Sequence, residues 1–183
     1  MEVYSKTQIN EMAVALKSGK AIILPTDTVW GIISLNEGQI YTIKNRPLEK
    51  KVCKFIASVD ELGLPSFLAD AVRPYTPGAV SFVWKGISYR VPKCQYLIDL
   101  LRLTGPLYQS SANISGQDPV QSVQEVFSVF KAHYDHIVIV DNAPYEMPSQ
   151  QPSTIIDLDK MELVRQGEVD GQAILDAIKK GNS

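Results

Sequence analysis

Several common signatures are missing from this chain of 183 residues, and each absence excludes a class of protein. There is no GxxxxGKS or GxxxxGKT loop and no GxGxxG after a predicted strand, which excludes the P-loop and the dinucleotide-binding fingerprint. The two cysteines, Cys53 and Cys94, lie far apart and fit neither a disulfide framework nor a zinc motif. No apolar run approaches the ~18 residues of a membrane span, and the first residues lack the layout of a signal peptide. We therefore expect a soluble, cytoplasmic protein with no membrane partner.

Histidine is also scarce, since His133 and His136 are the only two in the chain. Because both lie in one short segment, few histidines are available for a Ser-His-Asp catalytic triad. The pair could face one way on a helix and bind a metal, but surface histidines near a helix end are more common. We therefore assign no metal-binding residue from the sequence.

The residues that are present have the composition of a globular protein. Apolar residues make up 45% of the chain, and glycine and proline number 11 each, which is an ordinary share. A chain of this length is expected to form one domain. The sequence thus predicts a single domain over residues 1–183.

Charge is distributed unevenly, although the net charge is only −2. Residues 1–102 contain 13 Lys and Arg residues against 9 Asp and Glu residues, whereas residues 103–183 contain 5 against 11. The basic excess lies mainly between Lys44 and Arg102, where it would attract an anionic ligand. The alternative is a solvated basic face with no ligand.

Apolar periodicity predicts alternating helices and strands. Ser5 to Gln8 forms a possible capping box before a helix that ends at Gly19, and Ser122 and Asp170 each precede a further amphipathic helix. Short apolar or alternating runs predict strands at 21–24, 31–34, 79–84, 88–91, 136–140, 153–158 and 163–164. The order lacks strict βαβ regularity, so we predict an α/β domain on a twisted, mixed sheet with flanking helices.

Four polar segments lie where predicted strands or helices end. They are residues 25–31 (PTDTVWG), 44–51 (KNRPLEKK), 110–116 (SSANISG) and 152–157 (PSTIID), the last followed by RQG at 165–167. Hydroxyls, amides and free backbone N–H groups at a sheet edge can bind phosphate or carboxylate. Each segment taken singly also fits ordinary turn and capping chemistry.

The segment 44–51 is the most basic of the four. Pro47 disfavours helical geometry at Arg46, so Lys44 is expected to close a helix while Arg46 begins an extended stretch. The two cations could then converge on one anion and clamp a triphosphate without a P-loop. Cations placed at a helix C-terminus for its dipole are the alternative explanation.

The motifs PTDTVWG, KNRP, YRVP, SANISG, PSTIID and RQG occur together in the order and approximate spacing of one family. In this respect the chain resembles the catalytic domain of the YrdC-like threonylcarbamoyl-AMP synthases, from about Ser5 to Gly167. The resemblance implies a twisted open α/β fold of the YrdC/RibB type with a positively charged concave face. It also implies a nucleotidyltransferase that joins L-threonine, bicarbonate and ATP, with Mg²⁺, into threonylcarbamoyl-AMP and pyrophosphate. Partner proteins would then carry out tRNA threonylcarbamoyladenosine modification, and tRNA or double-stranded RNA is a further possible partner.

The resemblance also implies roles for individual residues. Catalytic roles fall to Lys44 and Arg46, which would neutralise the leaving pyrophosphate. ATP binding is assigned to Arg46, Lys50, Ser111, Asn113 and Arg165. L-Threonine binding is assigned to Thr26, Thr28, Arg90 and Ser153. The chain departs from the usual family pattern at Lys51-Val52 and at Phe55, where the family often has Pro-Leu and a histidine.

Two other functions remain open from the residues alone. One is a non-catalytic module that binds double-stranded RNA or the ribosome through the basic excess, although the net negative charge and the lack of an aromatic RNA motif oppose it. The other is a related carbamoyl-transfer enzyme with a different acceptor. Asp27 could assist a proton transfer or bind a metal, and the sequence does not decide between these roles.

Overall fold

The computed structural model describes residues 1–141 and 151–181. The strands are β1 (Glu2–Ser5), β2 (Ala21–Pro25), β3 (Trp30–Ser34), β4 (Cys53–Phe55), β5 (Val80–Trp84), β6 (Ile87–Arg90), β7 (Leu107–Ser111), β8 (Ile137–Asp141), β9 (Thr154–Asp157) and β10 (Glu162–Arg165). The helices are α1 (Ile9–Lys17), α2 (Glu37–Lys44), α3 (Ser66–Val72), α4 (Gln95–Thr104), α5 (Val123–Val129) and α6 (Gly171–Gly181).

All ten strands belong to one sheet, in the order β1-β8-β2-β3-β7-β4-β6-β5-β9-β10. β8 pairs in parallel with both β1 and β2, and the pairs β4–β6 and β5–β9 are also parallel. The remaining neighbours are antiparallel. The predicted α/β fold on a mixed, open sheet is therefore confirmed.

Helices cover both faces of the sheet, and strand β2 shows why. Its side chains alternate between two separate clusters of buried apolar residues, as the period of two in a strand requires. Ile22 and Leu24 pack in one cluster with residues of α1 and α4. Ala21 and Ile23 pack in the other with residues of α2 and α5. The continuous apolar run of β2 is thus that of a strand buried on both faces.

The predicted helix starts are confirmed at two sites and half confirmed at a third. The Ser122 hydroxyl accepts from the Glu125 N–H at 3.2 Å, and the Asp170 carboxylate accepts from the Gln172 N–H at 2.9 Å. Before α1, the Gln8 side chain accepts from the Ser5 N–H at 2.9 Å. The Ser5 hydroxyl bonds instead to the Thr7 hydroxyl, so only half of the expected capping box forms.

Five elements have no counterpart in the sequence prediction: β1, β4, β7, α3 and α4. Strands β4 and β7 are short and carry polar residues within them, so they lack a clear apolar period. Both lie at the centre of the sheet, where they complete the surface described below. In the part of the chain that the structure describes, no helix has the length and hydropathy needed to cross a membrane.

Candidate active site

A cavity of about 560 Å³ opens on the sheet and is lined by residues of β7, β4, β6, β5, β9 and β10 together with the loops beside them. Four cationic side chains line it: Arg46, Lys51, Arg90 and Arg165. Within the described residues, its lining contains no Asp or Glu. A concave site with charge of one sign concentrates ligands of the opposite sign, so this cavity favours an anion.

The cavity brings together six of the ten side chains that the sequence singled out. These six are Thr28, Arg46, Arg90, Ser111, Ser153 and Arg165. The other four lie outside its lining, buried behind it or exposed beside it, and they are Thr26, Lys44, Lys50 and Asn113. The structure therefore brings most of the predicted residues to one cavity, and it distinguishes the residues that line the cavity from those that lie behind or beside it.

Arg90, at the end of β6, is held in a fixed orientation inside the cavity wall. The side chain is 3% exposed, and its Nε donates to the Gly78 carbonyl at 3.0 Å while Nη1 donates to the Thr28 hydroxyl at 2.9 Å. Nη2 lies 2.7 Å from the Asp27 carboxylate, a contact of charge rather than an aligned hydrogen bond. The other carboxylate oxygen of Asp27 accepts from the Lys93 N–H at 3.0 Å. Asp27, which is partly buried, thus provides the counter-charge that positions Arg90.

The two threonines of the PTDT segment have different positions. Thr28 lines the cavity. Thr26 lies beneath it, where its hydroxyl donates to the Val29 carbonyl at 2.7 Å and accepts from the Thr28 N–H at 3.2 Å. Thr26 is only 5% exposed. The structure thus places Thr26 as a residue that shapes the loop and presents Thr28.

Lys44, the last residue of α2, is 1% exposed and is directed into the SAN turn. Its Nζ donates to the Ser111 carbonyl, to the Asn113 carbonyl at 2.8 Å and to Asn113 Oδ1 at 2.8 Å. The Ser111 hydroxyl donates to the same Oδ1 at 2.6 Å. An ammonium has three hydrogens, and here all three have acceptors. Lys44 therefore holds the turn that presents Ser111.

Burial has a strong effect on the charge of Lys44. Removal from water, followed by the nearby charge of Arg46, lowers the pKa of Lys44 to about 7. The three oxygen acceptors favour the charged form, but they do not outweigh the cost of burying it. Lys44 is thus a lysine that titrates close to neutral pH.

Lys44 and Arg46, which were expected to converge on one anion, occupy different positions, because Arg46 lines the cavity whereas Lys44 is bonded to the turn behind it. Helix α2 ends at Lys44, and Asn45 adopts a left-handed conformation with φ of 49°, so the chain turns sharply before Arg46. Arg46 donates from Nε to the Lys50 carbonyl and from Nη2 to the Lys51 carbonyl, both at 2.8 Å. The segment 44–51, called the basic loop below, is thus folded around the Arg46 guanidinium, which lines the cavity. Lys50 is exposed and lies outside the lining.

Ser153 and Arg165 meet because two backbone segments approach closely. A side chain at Gly167 would place its Cβ only 2.2 Å from the Pro152 carbonyl oxygen, so glycine permits this contact. Arg165 then donates from Nη2 to the Ser153 carbonyl at 2.7 Å, and the Ser153 hydroxyl lies 3.0 Å from that of Ser81. Burial, and secondarily the charge of Arg90, lowers the pKa of Arg165.

Further polar residues of the cavity were not predicted as site residues. They are Lys51, Cys53, Ser81, Ser88, Gln109 and Ser110. Burial raises the pKa of the Cys53 thiol, whose Sγ donates to the Lys54 carbonyl at 3.7 Å. Lys51 and Ser110 lie within segments that the sequence analysis named. Recognising Cys53, Ser88 and Gln109 required the strands β4 and β7 and their order in the sheet, which the sequence pattern did not reveal.

The residues of the cavity do not fit a metal ion held by the protein alone. Among residues 1–141 and 151–181, no group of three His, Cys, Asp or Glu side chains is placed to hold a metal. Mg²⁺ in nucleotide enzymes is commonly bound by substrate phosphates with one or two carboxylates. The carboxylate next to the cavity, that of Asp27, is engaged with Arg90.

A family model described as "Telomere recombination", which covers Sua5, YciO and YrdC, matches residues 14–167 of the chain. An uncharacterised protein of Mycoplasma pneumoniae, the MG259 homolog, is 30% identical over 165 residues, which are 90% of this chain and 36% of that protein. The chain thus spans only about a third of the length of this relative. A putative threonylcarbamoyl-AMP synthase of Mycobacterium tuberculosis is also 30% identical, over 79% of this chain and 76% of that protein.

The fold is similar to that of solved structures. The crystal structure of P. abyssi Sua5 complexed with L-threonine superposes with a TM-score of 0.83 at 24% identity. The match covers 97% of this chain and 61% of the P. abyssi chain.

Proposed function

Because the chain belongs to the Sua5, YciO and YrdC family, we propose that it is a threonylcarbamoyl-AMP synthase. It joins L-threonine, bicarbonate and ATP into threonylcarbamoyl-AMP and releases pyrophosphate. The observation that carries the proposal is that one cavity is lined by four cations and, among the described residues, by no carboxylate. The name of the M. tuberculosis relative and the L-threonine bound to P. abyssi Sua5 support the same activity.

Within this proposal the cavity provides two subsites. The ATP subsite includes Arg46, Arg165 and Ser111, with Asn113 and Lys44 holding the turn behind Ser111. Lys50, exposed beside the loop, is assigned to the same subsite through the family motif. Guanidinium groups and hydroxyls suit phosphate oxygens, which accept several hydrogen bonds at once.

The L-threonine subsite includes Arg90, Thr28 and Ser153, with Thr26 beneath it. A guanidinium carries five N–H groups, so the three contacts of Arg90 leave donors for the carboxylate of an amino acid. The hydroxyls of Thr28 and Ser153 are partners for a substrate hydroxyl. We therefore expect threonine to be preferred, serine to come second and valine to be poor, since valine leaves these polar groups unpaired.

The chemistry needs no nucleophile from the protein. The amino nitrogen of threonine attacks the carbon of bicarbonate and water leaves, or it attacks carbon dioxide and loses a proton to solvent; either route forms the N–C bond of a carbamate. A carbamate oxygen then attacks the α-phosphorus of ATP, the bond from that phosphorus to the bridging oxygen breaks, and pyrophosphate leaves. The side chains of the cavity position the substrates and stabilise the charge that develops on the leaving group.

Mg²⁺ enters this proposal with the substrate, as the counter-ion of the ATP phosphates. The product is consumed by other proteins, which transfer the threonylcarbamoyl group to tRNA. Contact with tRNA or double-stranded RNA belongs to the same proposal and would use the basic residues between Lys44 and Arg102.

The test is release of pyrophosphate from ATP by the purified chain with each substrate omitted in turn. We expect release that requires bicarbonate and an amino acid together, in the rate order threonine, serine, valine. Equal rates for threonine and valine would contradict the threonine subsite. Pyrophosphate release that requires bicarbonate but not threonine would favour a carbamoyl-transfer enzyme with another acceptor. A chain that releases no pyrophosphate but binds double-stranded RNA would favour a non-catalytic module.

A further inference from the structure

One cation of the cavity, Lys51, is not accounted for by the subsites described above. Arg90 is paired with Asp27 at 2.7 Å. The other three cations of the lining, Arg46, Lys51 and Arg165, have no ion pair with any of the described residues. Three uncompensated charges around one cavity favour a ligand with several negative charges over one with a single charge.

Lys51 occupies a rim position from which it can turn inward. Its Nζ donates to the Gly86 carbonyl at 3.1 Å, in an exposed contact. Gly86 lies in the two-residue turn between β5 and β6, and both N–H groups of that turn donate to the Asp159 carboxylate at 3.0 Å. The turn is therefore fixed, whereas the lysine is held by one exchangeable hydrogen bond on a flexible stem.

Lys51 is also adjacent to a cation that already faces the ligand. The Lys51 carbonyl accepts from Nη2 of Arg46 at 2.8 Å, so the two residues are fixed side by side. Ser111 on β7 and the turn at Gly86 are about two strand spacings apart, or ~10 Å. The polyphosphate chain of a nucleotide can span this distance, whereas a single phosphate cannot.

We propose that Lys51 binds the β- and γ-phosphates of the nucleotide and the pyrophosphate formed from them. The inference rests on the proposed function, since it names a further binding residue for the same site. Lys51 exchanges its hydrogen bond to Gly86 for phosphate oxygens when the nucleotide binds. This places a cation on the group that acquires charge as the α-phosphorus is attacked.

The test compares the binding of pyrophosphate, ATP and AMP by calorimetry in the wild-type chain and in Lys51→Met, Lys51→Arg and Lys54→Met. Lys54 is the matched control, because it loses the same charge three residues away while its Nζ lies over the Tyr108 ring at 4.7 Å, outside the cavity lining. We expect Lys51→Met to weaken pyrophosphate and ATP binding roughly five- to tenfold, as for a partly screened charged hydrogen bond. AMP binding should stay within about twofold, Lys51→Arg should retain most of the affinity, and the Lys51→Met effect should shrink at high salt.

The outcomes separate this inference from the proposed function. Suppose that the wild-type chain releases pyrophosphate and that Lys51→Met binds pyrophosphate as tightly as the wild type does. That result would overturn the inference about Lys51 and leave the proposed function standing. Equal weakening of AMP and pyrophosphate, or an equal loss in Lys54→Met, would also overturn it. A wild-type chain that binds neither ATP nor pyrophosphate would overturn both. Thermal unfolding of each variant checks that a loss of binding does not come from a loss of the fold.

Discussion

The buried cations around this cavity differ in how their charge is compensated. Arg90 is buried with the Asp27 carboxylate beside it, which offsets the cost of taking its charge out of water. Lys44 is buried with backbone and amide oxygens only, so its charge is less well compensated. This difference explains why the pKa of Lys44 falls to about 7.

The depressed pKa of Lys44 makes the stability of the protein depend on pH. In the unfolded chain Lys44 keeps its ordinary pKa of 10.5, whereas in the folded chain the pKa is about 7. Between these values the unfolded state binds more protons, so the free energy of unfolding rises with pH there. We expect the stability of the wild type relative to Lys44→Met to increase from pH 7 to pH 10, by at most ~1.4 kcal/mol per pH unit.

Urea unfolding at pH 7, 8 and 9 measures this difference. Lys20→Met is the control, because Lys20 is a surface residue that pairs with Glu2, and its difference from wild type should change little with pH. A Lys44→Met difference that is flat across this range would contradict the assigned burial of the charge.

At the scale of elements, the sequence predicted the strands with a clear apolar or alternating period and missed β1, β4 and β7, of which β4 and β7 contribute residues to the cavity. β2, β5, β6 and β8 have apolar or alternating runs, and each was predicted within about one residue of its ends. β7 has the sequence LYQSS, in which the polar residues line the cavity instead of facing solvent. Its polarity therefore hid it from a hydrophobic pattern, because function and periodicity conflict there.

The contact between the start of β9 and the chain after β10 depends on Gly167, which gives a prediction at this scale. In Gly167→Ala the new Cβ would lie 2.2 Å from the Pro152 carbonyl oxygen and 2.5 Å from Thr154 N. The backbone must therefore shift, which separates Ser153 from Arg165. We expect a loss of about 2–4 kcal/mol in unfolding free energy, the range for severe local overpacking, together with weaker threonine binding.

Gly38→Ala provides the comparison, since its Cβ would meet only Asn36 Oδ1, at 3.3 Å, in the first turn of α2. That variant should remain within about 1 kcal/mol of wild type, as is usual for Gly to Ala in a helix. Thermal unfolding and threonine calorimetry measure both variants. Wild-type stability and threonine affinity in Gly167→Ala would show that the close approach is not needed.

At the scale of the whole molecule, the order of the strands assembles the site from segments distant in sequence. Strand β4, which follows the basic loop, lies between β7 and β6, and β5 joins this group to β9 and β10. The motifs at 25–31, 44–51, 110–116 and 152–167 therefore meet at one cavity. Their order along the chain indicated a common site, but the residues between them, such as Gln109 and Ser88, became evident only from the pairing of strands.

The same scale explains how a protein with a net negative charge can have a basic cavity. The net charge is −2, yet the charged residues that line the cavity, among residues 1–141 and 151–181, are four cations. The local electrostatic potential of a concave site determines the charge of the ligand that it attracts, whereas the net charge of the protein affects mainly solubility and non-specific contacts. The central claim of the proposed function is that the residues of this cavity join L-threonine, bicarbonate and ATP into threonylcarbamoyl-AMP with release of pyrophosphate.

The most direct test of that claim is mass spectrometry of the reaction with ¹³C-bicarbonate, L-threonine and ATP. The account predicts one new species that contains threonine, AMP and the labelled carbon, formed in step with pyrophosphate. An Arg90→Met variant should bind ATP yet form little of this species, since threonine is no longer held by its carboxylate. Pyrophosphate formation with no labelled adenylate, or a labelled adenylate that contains no threonine, would contradict the account.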